Sequence, residues 1–238
     1  MSRFSECYME TLSSNTYLLI TGATGGIGSA ICKMLPSYGV TPIIGFNNNQ
    51  LQAKDLSKEC GGFTVNINMS CEDSMEKAIL KIASNLKDGD SLIGVILAAS
   101  PPPDLSSFFN INSEQLLSQF QVNVIGTHFL VSRLIKNFFR KEKAGKVLGI
   151  LSNAIGDEHR GPVTGMGAYV IAKTALKSML AVCAVEYPWL EVKTFSPSFT
   201  QTDMLKVFDE RYLEMISKKG KISTPEEVAK LIIQEIIT

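Results

Sequence analysis

Tyr169 and Lys173 stand four residues apart in the run GAYVIAKTALKSM, residues 167–179. The run is rich in good helix formers, and on a helix residues i and i+4 share a face. A free phenol titrates near pH 10, far above neutrality. An ammonium group beside it favours the phenolate. A tyrosine so placed can exchange a proton with an alcohol near neutral pH. Taken alone, the same spacing also fits an exposed pair on a solvated helix. What stands upstream decides between the two.

Upstream, LLITGATGGIGSAI (18–31) reads as a strand, a glycine turn and a helix start. Gly22, Gly26 and Gly28 are spaced G-x-x-x-G-x-G, with Thr24 and Ile27 between them. Glycines allow a tight turn and let the backbone approach a pyrophosphate. Free N–H groups at the helix start favour the anion. An ordinary glycine-rich turn is the plainer reading, and its place after the first strand weighs against that. An oxidised nicotinamide held here would add positive field to the phenol. In dinucleotide folds a carboxylate about 20 residues past the glycines holds the ribose 2′-hydroxyl. Here that region is GFNNNQ (45–50), with no acid to repel a 2′-phosphate and no Arg or Lys to hold one. Asn47 and Asn48 can hydrogen-bond either form, or serve only as turn residues. The missing acid tips the cofactor toward NADP over NAD.

The elements that must position these groups alternate along the chain. Strands are expected at YLLIT (17–21), TPIIGF (41–46), FTVNIN, LIGVILAAS, GKVLGILSN and LEVKTFSP. The fourth is apolar throughout, as befits a strand buried on both faces of a parallel sheet. Helices are expected at SAICKMLPSYG, where a proline should disturb the last turn, then LQAKDLSKECG, CEDSMEKAILKIASNL, the long 113–143, MGAYVIAKTALKSMLAVCAVEY, and the tail TPEEVAKLIIQEII. The tail helix opens on Thr224, Pro225 and Glu227, a capping box. This alternation implies an α/β Rossmann-type doubly wound parallel sheet of about six strands, order 3-2-1-4-5-6, with helices on both faces. One domain spans 16–238, and residues 1–15 read as a loose arm.

Composition narrows the function. The 238 residues are 45% hydrophobic and 19% charged, with 23 basic and 23 acidic side chains. A balanced charge gives no sign of nucleic acid as a partner. No basic amphipathic run suggests a membrane surface, and LIGVILAA is too short to span a bilayer. Five cysteines without a CxxC pair read as free thiols in a reducing cytoplasm. Two histidines and no ligand cluster argue against a metal.

With TGATGGIG (21–28), VNVIGT (122–127), YVIAK (169–173) and FSPSFTQTDM (195–204) in this order, the chain resembles the short-chain dehydrogenase/reductase family over about 17–235. The resemblance implies an NAD(P)-dependent oxidoreductase that reduces a carbonyl or oxidises a secondary alcohol. It makes Tyr169 the acid/base, Lys173 the group that holds the ribose and tunes the phenol, Ser152 the group polarising the carbonyl, and Asn123 the anchor of a water relay. It sets the dinucleotide against Gly22, Thr24, Gly26, Ile27, Gly28, Asn47, Asn48, Asn66, Ile67, Ala98, Ala99, Ser100, Tyr169, Lys173, Pro197, Thr200 and Thr202. Thr202 matches the residue that holds the nicotinamide carboxamide.

Four departures from the family pattern matter. Ser152 lies 17 residues before Tyr169, where about 13 is usual, and Asn153 stands three before Gly156. Ser152 is preferred, and an asparagine amide could also donate to an oxyanion. The usual NNAG is LAAS (97–100), followed by three prolines that suggest a stiff, altered wall. The acid that usually faces adenine is Asn66, followed by Ile67. The family's usual last strand is missing, so six strands are expected, without the tetramer contact that strand makes. A homodimer through helices 114–140 and 167–187 is consistent with their apolar content, although that surface could pack only on the chain's own sheet. The segment after Thr202 has the mixed charge and aromatics of a lid. Arg160, in DEHRGP, could grip a carboxylate or phosphate on the substrate, or belong to a solvated loop. Two alternatives stay open: a dinucleotide-binding module without strong catalysis, and a non-redox relative such as an epimerase.

Overall fold

The computed structural model describes residues 16–220 and 222–237. The expected arm at 1–15 lies outside the described residues. Six parallel strands form one sheet: β1 Thr16–Thr21, β2 Thr41–Phe46, β3 Phe63–Asn66, β4 Ser91–Leu97, β5 Lys146–Ile150 and β6 Glu191–Phe195. Their order is β3-β2-β1-β4-β5-β6, the doubly wound order expected from the βα alternation.

The central strands β1, β4 and β5 are mostly apolar because both faces are covered, whereas the edge strand β6 (EVKTF) carries Glu191 and Lys193. Successive side chains point to opposite faces. Leu19, Ile43, Val95 and Val147 enter one core cluster, while Leu18, Ile20, Ile44, Ile96 and Leu148 enter the other. The first cluster packs α3 (Glu72–Asn85), α5 (Thr127–Leu134) and α7 (Gly167–Glu186) on one face. The second packs α1 (Gly26–Met34), α2 (Gln50–Cys60) and α9 (Pro225–Ile237) on the other. By length and composition α7 could cross a bilayer. Here its apolar face, with Leu176 and Leu180, is buried in the core instead.

Local signals act where the residues place them. Pro36 turns the end of α1 into a 3-10 segment, Leu35–Tyr38, closed by Gly39 in the left-handed region. Thr224 and Glu227 cap α9 reciprocally, at 3.2 and 3.0 Å. At its other end, Lys146 and Lys193 from β5 and β6 donate to the carbonyls of Ile236 and Glu235 at 2.8 and 2.7 Å. These carbonyls have no partner within the helix, and the cations also suit its dipole.

The long helix expected over 113–143 is continuous but not uniform. It runs through α4 (Ser113–Phe120), a π segment at Gln121–Gly126, α5, a second π segment at Ile135–Phe139, and α6 (Arg140–Glu142). Such wide turns occur mostly at functional positions, and the first of them holds Asn123. Leu117, Ile125, Val182 and Val185, on these helices, remain exposed.

Candidate active site

The glycine turn is shaped by contact with the end of β4. Gly22 has φ +61°, and a Cβ there would lie 2.8 Å from the Cα of Ala99. Thr21, just before it, accepts the N–H groups of Ala98 and Ala99 on Oγ1 at 3.0 and 3.1 Å. These bonds fix the altered LAAS segment against the turn. The Gly22→Ala protein should lose at least ~1–2 kcal/mol of stability, from the left-handed backbone alone. A urea melt checks this, and nucleotide affinity should fall with it.

At the start of α1 no side chain caps the helix, so its first N–H groups remain available to an anion. A Cβ on Gly26 would come 2.5 Å from Cγ2 of Thr202. The cradle between the turn and Thr202 therefore has room for a ligand's phosphates only with glycine at this position. The residues present fit a dinucleotide.

A groove runs from this cradle across the carboxyl ends of β1, β2, β3 and β4, where open α/β sheets bind ligands. It is lined by Gly22, Thr24, Gly26, Ile27, Gly28, Asn47, Asn48, Ile67, Ala98, Ala99, Ser100 and Thr202, all expected from the sequence. Asn49, Asn68, Met69, Pro101, Val122 and Asp203 line it as well and were not anticipated. Asn66 stands beside the groove and is not part of its lining. Its amide donates to the Asn47 carbonyl at 2.7 Å, joining the loops after β2 and β3.

A second pocket opens from the first, sharing Ile27, Ala98, Ser100, Thr202 and Met204 with it. Tyr169, Lys173, Ser152, Asn153, Pro197 and Thr200 line this pocket, so Pro197 and Thr200 stand here and not in the groove. Its cavity volume is about 170 Å³, and it opens to solvent. Most of the remaining wall is apolar: Val163, Met166, Phe199, Leu205 and Phe208. Sequence reasoning missed these because they come from three separate loops with no shared motif. The segment after Thr202 folds into a 3-10 turn, Asp203–Val207, then α8 (Glu210–Lys219). Phe199, Phe208 and Tyr212 stack together there, with ring centroids 5.0 to 6.4 Å apart.

Tyr169 and Lys173 project from one face of α7 and are almost fully buried, 4% and 2% exposed. The Lys173 Nζ donates to the Ile150 carbonyl at 2.9 Å and lies 5.7 Å from the centre of the tyrosine ring. This juxtaposition excludes the exposed-pair reading. It also corrects the expected electrostatics. Burial pushes the Tyr169 phenol up to about 12, with the Ser152 hydroxyl beside it pulling the other way. Burial pulls the Lys173 ammonium down to about 7. Desolvation outweighs the ammonium's influence on the phenol because both groups have left water and Lys173 spends a proton on a carbonyl.

Ser152 ends β5, and its Oγ accepts the N–H of Ala154 at 3.1 Å. Asn153 lines the same pocket, but its carbonyl is engaged by the Arg160 guanidinium at 3.0 Å. Asn123 is fully buried in the π segment, as expected of an asparagine among apolar neighbours. Its amide donates to the carbonyl and to Oε1 of Gln119, both at 3.1 Å. Its own Oδ1 has no partner among the described residues. Gln119, also fully buried, donates to the Pro102 carbonyl at 2.7 Å. It thereby ties the proline wall to the π segment, a role that no sequence motif announces.

A doubly wound sheet, a glycine cradle and a buried Tyr–Lys pair in the pocket adjoining it agree with the family comparison. The chain matches the model of the short chain dehydrogenases over residues 16–213. It belongs to that family, whose members are oxidoreductases acting on CH–OH groups with a nicotinamide dinucleotide. Among curated relatives it is 30% identical to a 3-oxoacyl-(acyl-carrier-protein) reductase of Aquifex aeolicus, covering 94% of this chain and 91% of that one. It is 25% identical to the (S)-benzoin-forming benzil reductase of Bacillus cereus, covering 91% and 92%. Among solved structures, a 3-ketoacyl-(acyl-carrier-protein) reductase from Brucella melitensis complexed with NADH superposes with a TM-score of 0.80 at 20% identity, covering 91% and 88%. At that identity the likeness speaks for the fold alone.

Proposed function

We propose that this protein reduces the carbonyl of an apolar ketone or diketone to a secondary alcohol. The observation that carries this reading is the cluster of Tyr169, Ser152 and Lys173 in the apolar pocket that adjoins the groove. A reduced nicotinamide bound in the groove would supply the hydride. The chain's own residues handle the proton and the oxygen. Tyr169 gives its phenolic proton to the carbonyl oxygen, and Ser152 donates a hydrogen bond to the same oxygen. Lys173 steadies the phenol and holds the ribose. Asn123 anchors the water path that reprotonates the site.

Two features support reduction as the favoured direction. With its phenol pushed up to about 12, Tyr169 holds at neutral pH the proton that reduction consumes, and as a weaker acid it gives that proton up only as the carbonyl oxygen gains negative charge. The pocket's apolar wall keeps water from the reacting carbon. The relatives' names point to carbonyl substrates of different sizes: benzil, 3-oxoacyl thioesters and diacetyl. Of these, benzil suits the wall of Phe199, Phe208 and Met166 best.

Asn47, Asn48 and Asn49 present amides and no acid at the groove's ribose end, which favours NADP while leaving NAD acceptable. The cytoplasm and a homodimer through α4, α5 and α7 complete the reading.

Ser152→Ala should lower kcat about a hundredfold, the effect of removing one donor to a developing oxyanion. Asn153→Ala should lower it less than tenfold, because Ser152 is the donor assigned to the carbonyl oxygen and the Arg160 bond, made to the Asn153 backbone carbonyl, survives the substitution. Steady-state kinetics on benzil with NADPH compares the two. A larger loss for Asn153→Ala would transfer the oxyanion role to the asparagine.

A further inference from the structure

We propose that Arg160 selects substrates in which an apolar ketone carries a carboxylate away from the reacting carbonyl. This rests on the carbonyl-reductase reading above and adds a substrate class to it.

The loop that lengthens the interval between Ser152 and Tyr169 has a definite shape. Gly156 turns it with φ +77°. The Asp157 N–H donates to the Arg160 carbonyl at 2.8 Å, and Val163 N–H donates to the Ala154 carbonyl at 2.9 Å. Oδ1 of Asp157 accepts the N–H groups of His159 and Arg160, each at 2.9 Å. These bonds fold residues 157–160 into a closed turn that sends the Arg160 side chain back toward β5. There its Nη2 donates to the Asn153 carbonyl at 3.0 Å and the residue becomes part of the pocket wall.

The charge pattern of that wall gives the arginine its meaning. Among the described residues the pocket is lined by two cations, Arg160 and Lys173, and by no Asp or Glu. Lys173 is buried and bound to Ile150. Arg160 is exposed; the Asp157 carboxylate in the same turn feels its charge but accepts the backbone N–H groups of His159 and Arg160, and no described carboxylate forms a salt bridge with the guanidinium. A guanidinium has five donors in a planar fork, and one is used here on Asn153. The rest can meet a carboxylate in a bidentate pair. Apart from these cations the wall is mostly apolar, with Val163, Phe199 and Phe208 among its residues. The pocket therefore suits an amphiphile with an apolar body and one negative charge. A single guanidinium matches a monoanion, whereas a dianionic phosphate would leave charge unpaired.

The test uses the full chain and three probes: benzil, 4-carboxybenzil and 4-carbamoylbenzil. Turnover is followed with NADPH, and binding of the two substituted probes is followed separately by calorimetry with NADP. The wild type should prefer the carboxylate over the amide about tenfold in kcat/KM and in affinity, the scale of one partly solvated charge-assisted pair. Arg160→Gln should bring that ratio close to one, and Arg160→Lys should keep part of it. Equal treatment of acid and amide by the wild type overturns the inference, as does a ratio that Arg160→Gln leaves intact. A preference in binding without turnover of any probe would uphold the role of Arg160 and sink the reductase reading. Turnover without preference would do the reverse. Failure to bind either substituted probe would count against the proposed substrate class.

Discussion

Tyr169→Phe should cost at least about a thousandfold in kcat while leaving nucleotide affinity within about threefold of wild type. The phenylalanine keeps the ring that is 4% exposed and packs beside Met166 and Val170, so the fold loses little. What disappears is the one hydroxyl placed to give a proton to the carbonyl oxygen. A positioned general acid contributes about 10²–10⁴-fold. Tyr169 lines the ketone pocket and is absent from the walls of the dinucleotide groove, so the groove should bind as before. Titration of bound NADPH by fluorescence and steady-state rates on the same preparation separate the two quantities. Retained turnover in this variant would move the proton to another group. Affinity lost in parallel with turnover would show that Tyr169 shapes the groove.

Lys173→Met should change how stability depends on pH. The ammonium is buried, donates to one carbonyl, and sits at about 7 against an ordinary value of 10.5. A folded-state value depressed in this way makes a contribution that is fully present above pH 10.5. It is lost progressively as the pH falls to about 7, because the unfolded chain binds the proton first. The slope is about 1.4 kcal/mol per pH unit and flattens as the folded group itself takes up its proton near pH 7, so between pH 9 and 7 the wild type should lose roughly 2 kcal/mol from this group. Tyr169 does not interfere. Its value is raised, so its contribution is intact below 10 and declines only above that. The methionine variant should therefore show a flatter stability profile from pH 7 to 9. Denaturant midpoints for both proteins across that range give the difference directly. Parallel profiles would mean that Lys173 stays charged in the fold. Activity should fall by two orders of magnitude or more in the same variant, since it loses the amine proposed to hold the ribose beside Tyr169.

Much of the architecture was legible because its signals are local. The strand TPIIGF and the Thr224–Glu227 cap each depend on a few neighbouring residues. The groove's glycines followed from the turn after the first strand, and its remaining expected residues from the family resemblance. Less legible was whatever depends on burial. The sequence put a lysine beside a tyrosine and so suggested an acidified phenol. The fold buried both, and desolvation reversed the direction. Asn66 took a place beside the groove because its amide found the Asn47 carbonyl across a loop. Gln119 had no motif to mark it, and its importance comes from meeting Pro102 and Asn123 in space. The apolar pocket was invisible for a related reason: Phe199, Phe208, Val163 and Met166 converge only after the segment following β6 and the 156–165 loop have folded.

Anaerobic mixing of wild-type protein, saturated with NADPH, with excess benzil, diacetyl or a 3-oxoacyl thioester tests the account most directly. Absorbance of the reduced nicotinamide and the alcohol product are counted together. The account predicts that at least one of these ketones consumes bound NADPH and yields one secondary alcohol per nucleotide. Tight binding of NADPH with no oxidation by any of the three would contradict it.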